Sequence, residues 1–205
     1  MRLGDNCYTI KTIINANFYM KTWNLPMTLT WLRIILIPVF TLLFFLPIPT
    51  LWQNFLSAFI FIVAAITDWF DGFLARRWQQ TSEFGAFLDP VADKLMVAAA
   101  LILLIYLERT NPIVAMIIIG REITISALRE WMAQAGKRRS VAVAYIGKVK
   151  TAVQMIAITT LLILNIPLLN INLYIIGNVM MYIACLLTIW SMFHYLAIAR
   201  QEVNK

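Results

Sequence analysis

The sequence predicts an all-helical membrane protein with six transmembrane helices, and three observations support this fold class. Hydrophobic residues make up 61% of the 205 residues and charged residues only 13%, whereas soluble domains carry roughly 25% charged residues. Several apolar runs approach the roughly 20 residues that an α-helix needs to cross a bilayer. These runs do not alternate apolar and polar residues, as membrane-spanning β-strands do, so the predicted spans are helices.

Hydropathy divides the chain into six apolar segments. Residues 20–30 precede the first segment and are predicted to form a short interfacial helix, with Trp23 at the level of the lipid head groups. Residues 1–19 contain no run long enough to span, and we interpret them as a dispensable extension or a misassigned start, ahead of a single membrane domain over 20–205. The predicted spans cover approximately residues 29–46, 52–76, 89–107, from just after 112 to 133, 143–164 and 173–197.

Lysine and arginine predict the orientation of these spans, because cytoplasmic loops of membrane proteins carry an excess of both. They occur in the N-terminal segment, in the second-to-third and fourth-to-fifth loops and at the C-terminus, whereas Arg109 stands alone on the other side. Both termini and the second-to-third loop are therefore expected to face the cytoplasm.

Charge and cysteine content exclude several kinds of site. A net charge of +7 on so apolar a chain favours anionic lipid head groups and anionic substrates over nucleic acid. Cys7 and Cys185 lie in different regions and in no metal-like spacing, so neither a disulfide nor a thiolate metal site is expected. His194 is the only histidine, and one histidine cannot form a zinc site.

Four aspartates lie close together in this apolar chain. A carboxylate near the membrane centre costs at least about 2.5 kcal/mol, so such acids indicate a functional site. Asp68 and Asp71 are three residues apart at the end of the second span, and Asp89 and Asp93 are four apart at the start of the third. Each spacing places a pair on one helical face. A loop over residues 79–85 would let the helices run antiparallel, so that all four carboxylates converge just inside the cytoplasmic boundary.

Converging carboxylates repel one another unless cations neutralise them, and two divalent cations would balance four negative charges. All-oxygen ligands suit magnesium, manganese or calcium. Two such ions would polarise a diphosphate and stabilise its leaving group. Gly72 leaves room for a ligand beside the backbone, although helix packing is the alternative, and Arg76 suits a phosphate or base clamp.

The same segment resembles the signature of the CDP-alcohol phosphatidyltransferases, D-x2-D-G-x2-A-R-x8-G-x3-D-x3-D, at every fixed position. The resemblance implies that the four aspartates hold two divalent metals, magnesium or manganese, and that Asp93 is also the general base. It implies that Gly72, Arg76 and Ser82 contact the cytidine nucleotide, and that the protein is a homodimer. The fixed positions are Asp68, Asp71, Gly72, Ala75, Arg76, Gly85, Asp89 and Asp93.

Three further stretches resemble the bacterial branch of this family that uses glycerol 3-phosphate as acceptor. They are NLPMTLTWLR from Asn24, REITISALREWMA from Arg121 and GKVKT from Gly147. In that branch Asn24, Thr30 and Arg33 would help to bind the nucleotide lipid. The expected reaction joins CDP-diacylglycerol to sn-glycerol 3-phosphate and gives phosphatidylglycerophosphate and CMP, in the bacterial cytoplasmic membrane.

Basic residues in the fourth and fifth spans suit glycerol 3-phosphate, which is a small dianion. Arg121 and Arg129 are eight residues apart on roughly the same face, and Lys148 and Lys150 begin the fifth span. Together they are predicted to form a phosphate pocket beside the metals. The alternative for the two lysines is anchoring at the membrane surface. Glu122 is adjacent to Arg121 and is therefore predicted to point elsewhere.

Two other interpretations stay open. The same family could use another acceptor, either phosphatidylglycerol, which gives cardiolipin, or inositol phosphate. A divalent-cation transporter would also need acidic residues. A transporter does not explain Gly72, Arg76 or the basic cluster, and no second set of acids lines an exit path.

Overall fold

Long α-helices make up almost all of the described chain. The computed structural model describes residues 25–78, 83–134, 145–164 and 173–203, and no strand occurs in those ranges. The all-helical class is therefore confirmed for the described residues. The helices are α1 (Leu25–Leu42), α2 (Thr50–Trp78), α3 (Glu83–Tyr106), α4 (Pro112–Gln134), α5 (Tyr145–Ile163) and α6 (Leu173–Val203), and a 3-10 turn, Leu43–Phe45, follows α1.

Several of these helices are suited to a membrane. Within the described ranges, three stretches are long and apolar enough to cross a bilayer, namely Thr28–Phe45, Thr50–Asp68 and Leu173–Ala197, and α5 carries a shorter apolar stretch. On α6, Leu186 and Trp190 are each 68% exposed, which suits contact with lipid. The structure supports a membrane protein with several apolar helices, and the count of six crossings stays a prediction.

The start of the chain lies partly outside the described residues. Residues 1–24 are outside them, so the predicted extension over 1–19 and the single domain over 20–205 stay predictions. Residues 25–30 form the first turns of α1 without a break. The interfacial helix over 20–30 therefore also stays a prediction, and its described half continues directly into α1.

Helix α3 begins earlier than the sequence predicted. Its first residue is Glu83, so Gly85 is helical and does not belong to a loop. Helices α2 and α6 likewise continue past the predicted spans, to Trp78 and Val203. Hydropathy marks the apolar part of a helix, and it carries no signal for polar turns that continue beyond the bilayer. This is the physical reason for the error at Gly85.

The chain forms two compact units. Among the described residues, the first combines α1 up to Val39 with Val63–Met96, and the second combines Phe40–Ile62 with the described chain from Val97 onward. Helices α1, α2 and α3 each contribute residues to both units. The four aspartates belong to the first unit, and the basic residues predicted to bind phosphate belong to the second.

Helices α5 and α6 pack closely in the second unit. The buried residues of α5 recur at the three- and four-residue spacing of one helical face. A Cβ atom added at Gly177 of α6 would lie 2.7 Å from Leu161 Cγ, so the small residue permits a close approach of the two helices. The buried face of α5 consists of Lys150, Gln154, Ala157, Ile158, Leu161 and Leu162.

A buried arginine connects several chain segments in the second unit. Arg109 lies between α3 and α4 and is 6% exposed. Its Nη2 donates to Asn54 Oδ1 at 2.8 Å, and its Nη1 donates to the carbonyl oxygens of Leu161 and Leu162 at 3.3 and 3.0 Å. Carbonyl groups in the last turn of a helix lack intrahelical donors, so this guanidinium caps α5. Burial lowers the pKa of Arg109, because desolvation disfavours the charged form.

Replacing Arg109 by methionine is expected to lower the thermal unfolding temperature in detergent. Each hydrogen bond to a charged group contributes about 1.5–3 kcal/mol, and the change would leave the buried Asn54 side chain without its donor. Unfolding followed by intrinsic fluorescence measures the effect. Arg200→Met is the control, because Arg200 is exposed in the last turn of α6 and its loss should change the unfolding temperature little. Equal unfolding temperatures for wild type and Arg109→Met would contradict this role.

Candidate active site

Two buried polar residues of α1 hold two of the four aspartates. Arg33 is 1% exposed and Thr30 is fully buried. Arg33 Nη1 donates to Asp68 Oδ1 of α2 at 2.8 Å, and Thr30 Oγ1 donates to Asp89 Oδ1 of α3. An arginine inside an apolar helix is costly unless it is paired, so the Asp68 carboxylate stabilises Arg33 in its buried position.

The helical spacing predicted for the aspartates is confirmed. Asp68 and Asp71 both lie in α2, and Asp89 and Asp93 both lie in α3. Because Thr30 and Arg33 are three residues apart, they occupy one face of α1. The Asp68 and Asp89 carboxylates therefore meet the same segment of α1. The convergence of all four carboxylates stays a prediction, because the Asp71 side chain lies outside the described residues.

The chemistry of the donor set fits hard divalent cations. All the predicted ligands are carboxylate oxygens, which magnesium and manganese prefer. The contacts with Arg33 and Thr30 use Oδ1 of Asp68 and Asp89. The Asp68 side chain is 44% exposed. Within the described ranges, no three acidic, histidine or cysteine side chains lie close enough to hold an ion, so the metal site itself stays a prediction.

The residues predicted to bind the nucleotide are only partly described. Thr30 and Arg33 are described, and their side chains contact aspartates. Gly72 and Arg76 belong to α2, but the surroundings of both lie outside what the structure describes. Asn24 and Ser82 also lie outside the described residues. The nucleotide-binding roles stay predictions.

The predicted phosphate site contains a buried cluster of charges in the second unit. Lys150 of α5 is 1% exposed and Arg121 of α4 is 7% exposed. Lys150 Nζ donates to Glu122 Oε1 at 2.5 Å, and Arg121 Nη2 lies 3.5 Å from the same oxygen. The prediction that Glu122 points elsewhere is wrong. Adjacent residues leave a helix in different directions, but these two side chains are long enough to bring Arg121 Nη2 within 3.5 Å of Glu122 Oε1, the oxygen that also accepts from Lys150.

The other two predicted phosphate ligands are not part of this cluster as described. Arg129 is exposed on α4, its Nη2 donates to Tyr195 Oη at 2.9 Å, and its guanidinium carbon lies 5.0 Å from the centre of that ring. The side chain of Lys148 lies outside the described residues. The aspartates and the basic cluster belong to different units, and a phosphate pocket beside the metals stays a prediction.

Comparison with known proteins identifies the family. The family model of the CDP-alcohol phosphatidyltransferases matches residues 23–190. Two proteins named CDP-diacylglycerol--glycerol-3-phosphate 3-phosphatidyltransferase, from Shigella flexneri serotype 5b (strain 8401) and Escherichia coli (strain K12), are each 52% identical over 183 residues, which cover 88% of this chain and 97% of the relative. The chain belongs to the CDP-alcohol phosphatidyltransferase family.

Membership makes the protein a transferase that acts on CDP-activated lipids. The family that the aspartate motif resembled is therefore confirmed, and the motif lies within the matched residues 23–190. In this phosphatidyltransferase, two of the aspartates are held by Thr30 and Arg33. Contacts with a neighbouring hydroxyl and guanidinium limit the rotation of these two carboxylates.

Sequence reasoning missed two partners in this phosphatidyltransferase, Glu122 and Tyr195. Glu122 pairs with a lysine 28 residues away, and Tyr195 receives a hydrogen bond from an arginine 66 residues away. Local spacing cannot report such contacts. One signal was available for Glu122, because a buried cation at Arg121 requires a nearby counter-charge, and Glu122 is the acidic residue of α4 closest to Arg121 in sequence.

Proposed function

We propose that the protein transfers the phosphatidyl group of CDP-diacylglycerol to sn-glycerol 3-phosphate, giving phosphatidylglycerophosphate and CMP for phospholipid biosynthesis. The observation that carries the proposal is the likeness to relatives named for this reaction along nearly their whole length. The buried cations Arg121 and Lys150 support an anionic acceptor. Other acceptors in the family, phosphatidylglycerol and inositol phosphate, also carry phosphate, and they are separated by experiment.

In the proposed mechanism Asp93 removes the proton from the primary hydroxyl of glycerol 3-phosphate. The hydroxyl oxygen then forms a bond to the phosphorus that carries diacylglycerol, and the bond between that phosphorus and the CMP oxygen breaks. Arg76 binds the departing CMP, whose negative charge suits a planar guanidinium. Thr30 and Arg33 serve as positioning residues for Asp89 and Asp68, as their hydrogen bonds indicate.

Asp68, Asp71, Asp89 and Asp93 would hold two divalent cations, magnesium or manganese. When bound, such ions polarise phosphate oxygens and offset the charge that develops on a leaving group. The guanidinium of Arg33 pairs with Asp68, and four carboxylates brought together would repel one another. This repulsion supports cation binding at the aspartates.

The proposed setting is the bacterial cytoplasmic membrane, with both termini and the aspartates at the cytoplasmic side. The distribution of lysine and arginine supports this orientation. A cytoplasmic active site would also have direct access to glycerol 3-phosphate, which is too polar to cross a bilayer unaided. A homodimer is proposed as well, on the family resemblance.

The test is CMP release by the purified protein in mixed micelles of CDP-diacylglycerol with magnesium. CMP should appear only when glycerol 3-phosphate is added, together with labelled phosphatidylglycerophosphate. Phosphatidylglycerol and inositol phosphate, offered separately, should give no product. CMP release with phosphatidylglycerol or inositol phosphate, and none with glycerol 3-phosphate, would show that the protein uses that other acceptor. Metal flux into liposomes without any CMP release would contradict the proposed enzyme and indicate a divalent-cation transporter.

A further inference from the structure

Glu122 lies against two buried cations, and the proposed mechanism gives it no role. Its Oε1 accepts a hydrogen bond from Lys150 Nζ at 2.5 Å and lies 3.5 Å from Arg121 Nη2. Lys150 and Arg121 are both more than nine-tenths buried, while the Glu122 side chain is 23% exposed. The carboxylate therefore joins α4 to α5 at the point where both helices carry a basic residue.

The charges of this cluster do not balance. Two cations face one carboxylate, so one positive charge remains without a described counter-ion. In addition, Arg121 Nε and Nη2 are buried and have no hydrogen-bond acceptor among the described residues. Buried donors on a cation are costly when unsatisfied. The cluster is therefore suited to an incoming anion with several acceptor oxygens, as a phosphate group has.

Lysine alone is poorly suited to hold a phosphate in one orientation. Its ammonium group lies at the end of a flexible four-carbon chain and has three rotatable donors. The contact with Glu122 fixes one of these donors and leaves the others for a ligand. A carboxylate that itself bound the phosphate would repel it, so Glu122 acts through Lys150 and does not contact the phosphate.

We propose that Glu122 is a positioning residue for the acceptor phosphate, which holds Lys150 beside the unsatisfied donors of Arg121. This inference rests on the proposed function, in which glycerol 3-phosphate is the acceptor. Glu122 contacts two of the residues proposed to bind the acceptor, so its replacement should weaken the binding of glycerol 3-phosphate selectively.

The test compares Glu122→Gln with wild type and with Glu130→Gln. Glutamine keeps the size and an acceptor oxygen of glutamate but removes the negative charge, so the ion pair with the Lys150 ammonium group is lost. The KM for glycerol 3-phosphate should rise about tenfold, while kcat and the KM for CDP-diacylglycerol stay within about twofold of wild type. Glu130 is exposed on the same helix, so Glu130→Gln controls for loss of one negative charge and should change neither constant.

A double variant tests whether Glu122 acts through Lys150. Once Lys150→Met has removed the ammonium group, adding Glu122→Gln should raise the KM for glycerol 3-phosphate no further. Additive effects of the two changes would overturn the inference, as would an unchanged KM in Glu122→Gln. Equal changes in the KM of both substrates would also overturn it, because a structural defect is not selective.

Thermal unfolding and size-exclusion chromatography show whether each variant is folded. Should Glu122→Gln fail to fold, Glu122→Asp is the variant to measure. It keeps the negative charge but shortens the side chain by one methylene group, which weakens the contact with Lys150. A selective rise in the KM for glycerol 3-phosphate supports the inference, and an unchanged or unselective KM contradicts it.

A wild-type protein that releases no CMP with glycerol 3-phosphate contradicts the proposed function. An active wild type whose KM for glycerol 3-phosphate is unaffected by Glu122→Gln contradicts this inference alone.

Discussion

Asp93→Asn is expected to reduce kcat by roughly 10²–10⁴-fold, the range of general base catalysis, while the protein stays folded and inserted. Asparagine has nearly the same shape as aspartate but cannot accept the proton of the attacking hydroxyl. Asp93 is half-buried in α3, one turn after Asp89. CMP release under saturating substrates measures kcat, and size-exclusion chromatography of the membrane extract measures folding.

A loss of activity could also come from weaker metal binding, since Asp93 is a predicted ligand as well as the base. The two roles respond differently to magnesium. If the variant only binds magnesium more weakly, a higher magnesium concentration fills the site and restores activity. If the variant lacks the general base, added magnesium restores nothing. We therefore expect Asp93→Asn to stay inactive as magnesium is raised. Wild-type activity in Asp93→Asn, or full recovery at high magnesium, would remove the base assignment.

Removal of divalent cations is expected to abolish activity altogether. Without cations, the carboxylates of the site would repel one another, and the diphosphate of the substrate would add further negative charge to the same place. Dialysis against a chelator, followed by assay in metal-free buffer, should give no CMP release above background. Magnesium should restore activity, and manganese should do so as well, because both accept all-oxygen ligands.

Dialysis without the chelator is the control for loss of protein or lipid. Thermal unfolding before and after treatment separates a metal requirement in catalysis from one in folding, because bound ligands raise the unfolding temperature. Full activity in protein shown to be free of metal would contradict a metal-dependent mechanism. Failure of magnesium to restore activity in folded protein would contradict the predicted choice of ion.

The sequence predicted those features that depend on local spacing. Asp68 and Asp71, and Asp89 and Asp93, share helical faces because each pair lies one turn apart in a helix, and the structure confirms both helices. The apolar stretches Thr28–Phe45 and Leu173–Ala197 lie close to the first and sixth predicted spans for the same kind of reason. Period and hydropathy are properties of neighbouring residues, and a single sequence contains them.

Contacts between helices were beyond such reasoning. The pair Arg33 and Asp68 is separated by 35 residues, and nothing in local periodicity selects Asp68 over the other aspartates. Arg33 was assigned to the nucleotide lipid on resemblance, whereas its described contact includes a carboxylate. Arg109 was counted only as a charge on the outer side, yet it caps α5 through two carbonyl groups. Backbone acceptors at a distant helix end have no sequence signature.

The most direct test of the central claim, that carboxylates of α2 and α3 hold a shared pair of divalent cations, is a titration of the purified protein with manganese followed by electron paramagnetic resonance. The account predicts two bound ions per chain with magnetic coupling between them, and loss of this signal in both Asp68→Asn and Asp89→Asn. A wild-type protein that binds no more manganese than the Asp68→Asn/Asp89→Asn double variant would contradict it.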